Sequence, residues 1–174
     1  MVAWDGTVVL TTPRLLLRTF RLDDLPSYAA LNADPEVMEF IGGPITSAES
    51  DEIAEWANQC YADEGIGLLA VERRADGAFL GMCGVAHEDW YPDDVQLGWR
   101  FAREHWNQGY ATESAAAWVD YALARYPRVL AVTDAPNVRS LAVMVRLGMT
   151  YVSEEDLDIE GETVRCAVYS IALA

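Results

Sequence analysis

The chain reads as blocks of apolar and polar positions whose period switches between that of a strand and that of a helix. Arg14-Leu-Leu-Leu-Arg-Thr-Phe20 is a short apolar run flanked by charge, the pattern of a strand. Asp23 and Asp24 open a helical run to about Ala33. Thr46-Ser-Ala-Glu49 sets a hydroxyl three residues ahead of a carboxylate, so each side chain can satisfy the other's backbone N–H. That capping box predicts a helix reaching Asp63. Gly67 to Arg74 and Ala78 to His87 read as strands joined through the turn residues Ala75-Asp76-Gly77, with Gly81 and Gly84 weakening the second. Val95 to Ala102 is a further strand, and Gly98 inside it predicts a bulge or a close backbone approach.

A helix follows from about Gly109 to Arg125, then the β-branched strand Val129 to Thr133. Asn137 to Leu147 is helical, with Gly148 as its C-terminal cap. Thr150 to Ile159 and Thr163 to Ile171 are strand-like runs around Glu160-Gly161. The order β-α-α-β-β-β-α-β-α-β-β mixes neighbouring antiparallel strands with two strand-helix-strand crossovers. It predicts one α+β domain over residues 1–174, built around a mixed sheet.

Composition narrows the class. With 174 residues and 52% hydrophobic positions, the chain can bury a real core and is not a disordered one. No apolar run approaches the roughly 20 residues of a membrane helix. Met1-Val2-Ala3-Trp4-Asp5 lacks the basic and apolar regions of a secretory leader. A soluble, cytoplasmic protein with no membrane partner is expected. Cys60, Cys83 and Cys166 are odd in number and far apart, and the only histidines are His87 and His105, so neither a disulfide framework nor a metal site is expected. The net charge of −16 disfavours nucleic acid as a partner. It would draw in a cationic substrate, unless it serves only solubility. Six tryptophans permit a homodimer face without requiring one.

Chemistry concentrates in Trp106-Asn-Gln-Gly-Tyr-Ala-Thr-Glu-Ser114, where a strand gives way to a helix. A helix start leaves backbone N–H groups unpaired at the positive end of the dipole, and anions bind there. Gly109 lets the backbone approach a ligand, Ala111 keeps the next approach free of bulk, and Thr112 offers a hydroxyl. The nucleotide P-loop is excluded by the missing Gly-Lys-Ser/Thr, and the dinucleotide fingerprint by the missing spaced glycines. Alone, the turn also fits an ordinary connection with no ligand.

The longer run Val95-Gln-Leu-Gly-Trp-Arg-Phe-Ala-Arg-Glu-His-Trp-Asn-Gln-Gly-Tyr-Ala-Thr-Glu113 resembles the signature of the GNAT superfamily of N-acetyltransferases, nearest its RimJ/RimL-like ribosomal-protein branch. Thr12-Pro-Arg-Leu-Leu-Leu-Arg18 with Asp24 resembles that branch's opening strand. Asn32-Ala-Asp-Pro-Glu-Val-Met38 resembles its next block, and Asn137-Val-Arg-Ser140 with Leu147-Gly-Met149 its coenzyme-binding helix. The blocks keep their order from Thr12 to Met149.

The resemblance implies a single-domain GNAT fold: a mixed, mostly antiparallel sheet with flanking helices, splayed at its central strands. It implies acetyl-CoA as co-substrate, no metal, and transfer of the acetyl group directly to a primary amine. It assigns the diphosphate to the backbone amides of Asn107, Gln108, Gly109, Tyr110, Ala111 and Thr112; Trp106 departs mildly from the usual Gln or Arg at the start of the motif. Splaying near Gly98 would leave the backbone of Trp99, Arg100, Phe101, Ala102 and Arg103 to pair with the pantetheine arm, the side chains of Trp99 and Phe101 packing in the core. One free amide near Trp99 or Arg100 would polarise the thioester. Asn137 would bond the arm, cap its helix, or do both. Ser140 would protonate the departing thiolate, or else only satisfy local backbone; Tyr169 is the alternative acid, or a core tyrosine.

The base is the weak point. Many relatives carry a glutamate where Gln96 stands, and an amide cannot take a proton. Glu88 is the candidate, with Asp89 and His87 behind it, and each also reads as a solvated surface group. The acceptor is a protein N-terminus or a small-molecule amine, its pocket expected from Val37 to Ile53, the Ala86 to Asp94 loop and the tail. The competing reading is a non-catalytic acyl-CoA-binding or regulatory module with the same fold. Gln96 favours that module; Ser140 and the intact turn favour the enzyme.

Overall fold

In chain order the elements are β1 (Val8–Thr11), β2 (Leu15–Arg18), α1 (Leu25–Asn32), α2 (Ser47–Glu64), β3 (Leu68–Arg73), β4 (Phe79–His87), β5 (Val95–Phe101), α3 (Tyr110–Leu123), β6 (Arg128–Asp134), α4 (Val138–Arg146), β7 (Thr150–Ile159) and β8 (Glu162–Ala172). They come from a computed structural model that describes residues 2–159 and 161–173; Glu160 of the last predicted turn lies outside those residues. One eight-stranded sheet runs β1-β2-β3-β4-β5-β6-β8-β7. Only β5 and β6 are parallel; every other neighbouring pair is antiparallel. The α+β class and the mixed, mostly antiparallel sheet follow the sequence pattern. β1 was not predicted, because four residues give too short a run for alternation to register.

Local chemistry sets the boundaries. Thr46 Oγ1 accepts from the Glu49 N–H at 3.3 Å while the Glu49 carboxylate accepts from the Thr46 N–H at 2.7 Å, so the capping box opens α2. In α3, Tyr110, Ala115, Trp118, Val119 and Ala122 fall on one buried face. Gly84 did not weaken β4: a Cβ there would lie 1.8 Å from the Gly67 carbonyl oxygen, so the glycine lets two backbones pass closely.

The sheet separates two apolar clusters. Leu69, Val71, Cys83, Val95, Leu97 and Phe101 pack with Trp118 and Val119 of α3 and Met144 of α4. The alternate positions Ala70 and Met82 turn to the other face and pack with Tyr28, Leu31, Ala54 and Ala57 of α1 and α2.

The α1 end of the sheet is tied by a buried ion cluster. Arg18 is 1% exposed and donates from Nη1 and Nη2 to both oxygens of Asp24, at 2.7 and 2.8 Å, and from Nε to Glu72 at 2.7 Å. Asp24 also accepts the Arg21 N–H at 2.7 Å. Asp24→Ala therefore leaves Arg18 with Glu72 as its remaining carboxylate and buried N–H donors without theirs, and is expected to lower stability in urea unfolding by about 3 kcal/mol. Arg165→Ala, which breaks the exposed pairs to Glu154 and Asp156, should change it by under about 1 kcal/mol. Equal effects from the two would contradict this view of the cluster.

Candidate active site

β5 and β6 pair at only two positions, Val95 with Val129 and Gln96 with Leu130, and then part. On its other edge β5 stays in unbroken register with β4 from Val95 to Phe101, Gly98 lying opposite Gly84. The predicted bulge at Gly98 is therefore absent; the opening arises by divergence from β6, which needs no extra residue.

Which groups line the opening follows from strand geometry. The Ala102 N–H donates to the Leu80 carbonyl at 3.0 Å, so even-numbered residues of this strand turn their backbone groups to β4. Odd-numbered Trp99 and Phe101 turn theirs to the open side. The expected run of free groups from Trp99 to Arg103 is thus an alternating set. The candidate thioester amide narrows to Trp99, because the Arg100 N–H faces β4. The side chains of Trp99 and Phe101 pack in the α3 cluster.

The chain then turns into α3 through two residues in the left-handed region, Asn107 at φ 58° and Gly109 at φ 81°. The first backbone bond of the helix is from the Glu113 N–H to the Gly109 carbonyl, at 3.0 Å. Among the described residues, the N–H groups of Asn107 through Thr112 have no protein acceptor. These donors lie at the positive end of α3.

The β1–β2 corner braces this turn. Glu113 accepts from Thr12 Oγ1 at 2.6 Å, from the Arg14 N–H at 2.9 Å and from Arg14 Nε at 2.6 Å. Arg14 Nη1 donates to the Gln108 carbonyl at 3.0 Å, and its guanidinium lies 4.5 Å from the Tyr110 ring centre. Burial works to raise the Glu113 carboxyl, but the bonds from Thr12 and Arg14 outweigh it and hold it below the usual carboxylate range.

Turn, parted strand and α4 enclose a cleft of about 840 Å³. The structure brings to it Trp99, Arg100 and Phe101 of β5, then Asn107, Gly109, Tyr110, Ala111 and Thr112 of the turn, then Asn137 and Ser140 at the start of α4. Asn137 caps α4: its Oδ1 accepts the Ser140 N–H at 3.2 Å, and its Nδ2 donates to Thr133 Oγ1 at 3.0 Å and Ser140 Oγ at 3.1 Å. Ser140 Oγ accepts that bond and donates none among the described residues, so its proton is free. Trp106 also lines the cleft, its Nε1 donating to the Phe101 carbonyl at 2.8 Å.

Four predicted site residues stand outside the cleft lining. Ala102 spends its N–H on Leu80. Arg103 pairs outward with Glu36, and with Asp34 at 3.5 Å. The Gln108 side chain turns to the Glu104 carbonyl at 2.9 Å, although its N–H is among the six free donors. Glu88 is the main correction: it follows His87, which pairs with Val95 at the closed end of the opening. Burial and then the neighbouring Asp89 push its carboxyl up, but they do so away from the cleft. Gln96 is buried, its Oε1 accepting from Trp90 Nε1 at 2.8 Å. Of the expected acceptor pocket, Val37, Phe40 and Ile41 line the cleft, whereas the Ala86 to Asp94 loop and the tail do not.

Sequence reasoning missed Glu113, Arg139 and Arg146 in the lining, and Arg14 as the brace. Arg139 stacks on Trp106 at 4.3 Å and reaches Glu39 at 3.2 Å, bridging α4 to the segment after α1. The three cysteines are free and none lines the cleft; burial pushes the Cys83 thiol up to about 12. Among the described residues no helix is long and apolar enough to cross a membrane.

The family model described as an acetyltransferase (GNAT) domain matches residues 14–150. YkkB of Bacillus subtilis is 32% identical over 146 residues, which cover 82% of this chain and 85% of that protein. An FsC-acetyl coenzyme A-N(2)-transacetylase of Aspergillus fumigatus is 32% identical over 134 residues, 70% of this chain and 56% of that protein. The solved structure of RimL, a ribosomal alpha-N-protein acetyltransferase in complex with coenzyme A, matches with a TM-score of 0.78 over 95% of this chain and 98% of that one. Identity there is 15%, so the likeness is one of fold. A sheet opened between two parallel strands beside an acceptor-free helix start is thus the architecture of an acetyltransferase. The chain belongs to the GNAT family.

The brace has a pH signature. A carboxyl held below its ordinary value in the folded state contributes stability that is present above that value and lost as pH falls through the folded one. Glu113→Gln should lower the unfolding midpoint at pH 7, and the gap to the parent should close in acid. A gap that stays constant down to pH 3 would contradict the ionic brace.

Proposed function

We propose that the cleft binds acetyl-CoA and passes its acetyl group directly to a primary amine. One observation carries the proposal: six acceptor-free N–H groups, from Asn107 to Thr112, adjoin the open edge of β5. The amides of the turn receive the diphosphate at the positive end of α3. The Trp99 carbonyl and the Phe101 N–H pair with the amides of the pantetheine arm as a neighbouring strand would. The Trp99 N–H points where a thioester carbonyl gains charge during acyl transfer. Asn137 fixes Ser140, whose free proton goes to the departing thiolate as the C–S bond breaks; the proton that the attacking nitrogen loses in becoming an amide returns to Ser140 through solvent. Acetyl-CoA supplies the acetyl group; the chain supplies position, worth roughly 7–11 kcal/mol in well-oriented cases. An N(2)-transacetylase and a ribosomal alpha-N-protein acetyltransferase both stand among the proteins similar to this chain, which supports either kind of acceptor.

No free carboxylate serves as base in this reading. Glu113, the one carboxylate in the lining among the described residues, is committed to Arg14 and Thr12. The acceptor therefore sheds its proton to solvent and reacts as a neutral amine. A second reading, an acyl-CoA-binding module without turnover, is favoured by the same observation together with Gln96.

Calorimetry with acetyl-CoA and thiol release with a panel of amines separate the two readings. Binding with turnover is expected; binding without turnover would leave the module, and no binding would end both. Ser140→Ala should lower kcat on the order of 100-fold with little change in the KM for acetyl-CoA. The logarithm of kcat/KM should climb with pH at unit slope up to the acceptor's own pKa. A plateau set instead by a group of the protein would show that a base had been overlooked.

A further inference from the structure

The side chain of Arg100 is on the opposite sheet face from α3. Its neighbours Leu97 and Phe101 pack toward α3, whereas Met82, its partner across the ladder, packs with α1 and α2. Arg100 Nη1 donates to Asn32 Oδ1 of α1 at 2.5 Å. Asn32 is fully buried, and its own amide is fixed by a 2.9 Å bond to Ser50 Oγ of α2. Arg100 Nε is buried with no acceptor, and no carboxylate pairs with this guanidinium among the described residues. Burial also depresses its pKa, yet an arginine stays protonated.

This is a half-buried guanidinium whose Nε is shut off from water, aimed by a neutral dipole and lacking a counter-charge among the described residues, in the wall of the cleft. Such a group is costly for the fold alone and is pre-organised for an anion, above all a planar carboxylate. The coenzyme does not meet the need from this side. Its arm carries amides and no charge there, and the turn that suits its diphosphate opens α3 on the other face. Val37, Phe40 and Ile41, from the segment that follows α1, give the same cleft apolar walls.

We infer that Arg100 binds a carboxylate of the acceptor, so the substrate is an amine that also bears a carboxylate: an amino acid with an apolar side chain. The inference rests on the acetyl-transfer reading and narrows it. Such a zwitterion has no net charge, so the chain's −16 does not draw it in at long range and selection falls to Arg100 at contact, in place of the cationic substrate that the charge alone suggested.

The test compares leucine, phenylalanine and methionine, each against its own carboxamide, in the thiol-release assay with acetyl-CoA. Once each value is divided by the fraction of that acceptor present as the neutral amine at the assay pH, the acids should exceed the amides in kcat/KM by roughly 30-fold or more. In Arg100→Gln the ratio should fall to near one, and Arg100→Lys, which keeps the charge without the fork, should retain part of it. Acids and amides used alike by the parent protein, or a ratio unchanged in Arg100→Gln, would overturn the inference. So would a variant whose only defect is weaker coenzyme binding in calorimetry, which would assign Arg100 to the coenzyme. A second measurement needs neither turnover nor a folded variant: binding of N-acetyl-leucine and N-acetyl-leucinamide to the protein loaded with coenzyme A. The acid should bind at least 10-fold tighter, and equal binding would overturn the inference while the acetyl-transfer reading stood. Absence of coenzyme binding would instead remove that reading, and the inference with it.

Discussion

The short pairing of β5 with β6 is the constraint on which the site depends. A parallel pair held at two positions must leave strand edge unsatisfied, and buried backbone groups without partners are costly. The protein keeps this arrangement because the groups face a cleft. β5 remains straight and in register with β4, so the exposed set is fixed by the pleat: Trp99 and Phe101 present backbone to the opening, and Arg100 presents a side chain to the far face. One strand thus offers main-chain groups to one part of the cleft and a guanidinium to another.

Rigidity around the opening comes from polar anchors at two corners. The Arg18–Asp24–Glu72 cluster ties α1 to β2 and β3 on one face. The Arg14–Glu113 brace ties the start of α3 to the β1–β2 corner on the other. The brace spends a carboxylate inside the cleft on structure, which removes the one lining acid among the described residues that could have served as a base. Holding the amide turn in place and keeping a free proton acceptor are alternative uses of Glu113, and the geometry shows the first.

The elements with strong local signals were legible in the chain: the Thr46–Glu49 capping box, the Asn137 cap, the Gly148 stop and the β3–β4 hairpin at Ala75-Asp76-Gly77. The amide turn was legible because helix starts bind anions for local reasons, and the resemblance to the GNAT signature gave the parted strand. What was not legible depends on distant partners. Arg14 and Glu113 are 99 residues apart, and nothing near either announces the other. Gly98 suggested a bulge because strand glycines often mark one; here it faces Gly84 in a regular ladder and the opening lies on the other edge. Glu88 looked available because its sequence neighbours are polar, but the β4–β5 turn carries it to the closed end. Arg100 was read for its backbone; its side-chain role required knowing that Asn32 and Ser50 sit opposite.

The claim that an alternating edge of β5 and six turn amides form one binding surface is tested most directly by residue-resolved amide hydrogen exchange with and without coenzyme A. Saturating coenzyme should slow exchange at Phe101 and across Asn107 to Thr112, while Arg100 and Ala102, facing β4, stay as protected as before. Uniform slowing along β5 regardless of parity, or no change at the start of α3, would contradict the account.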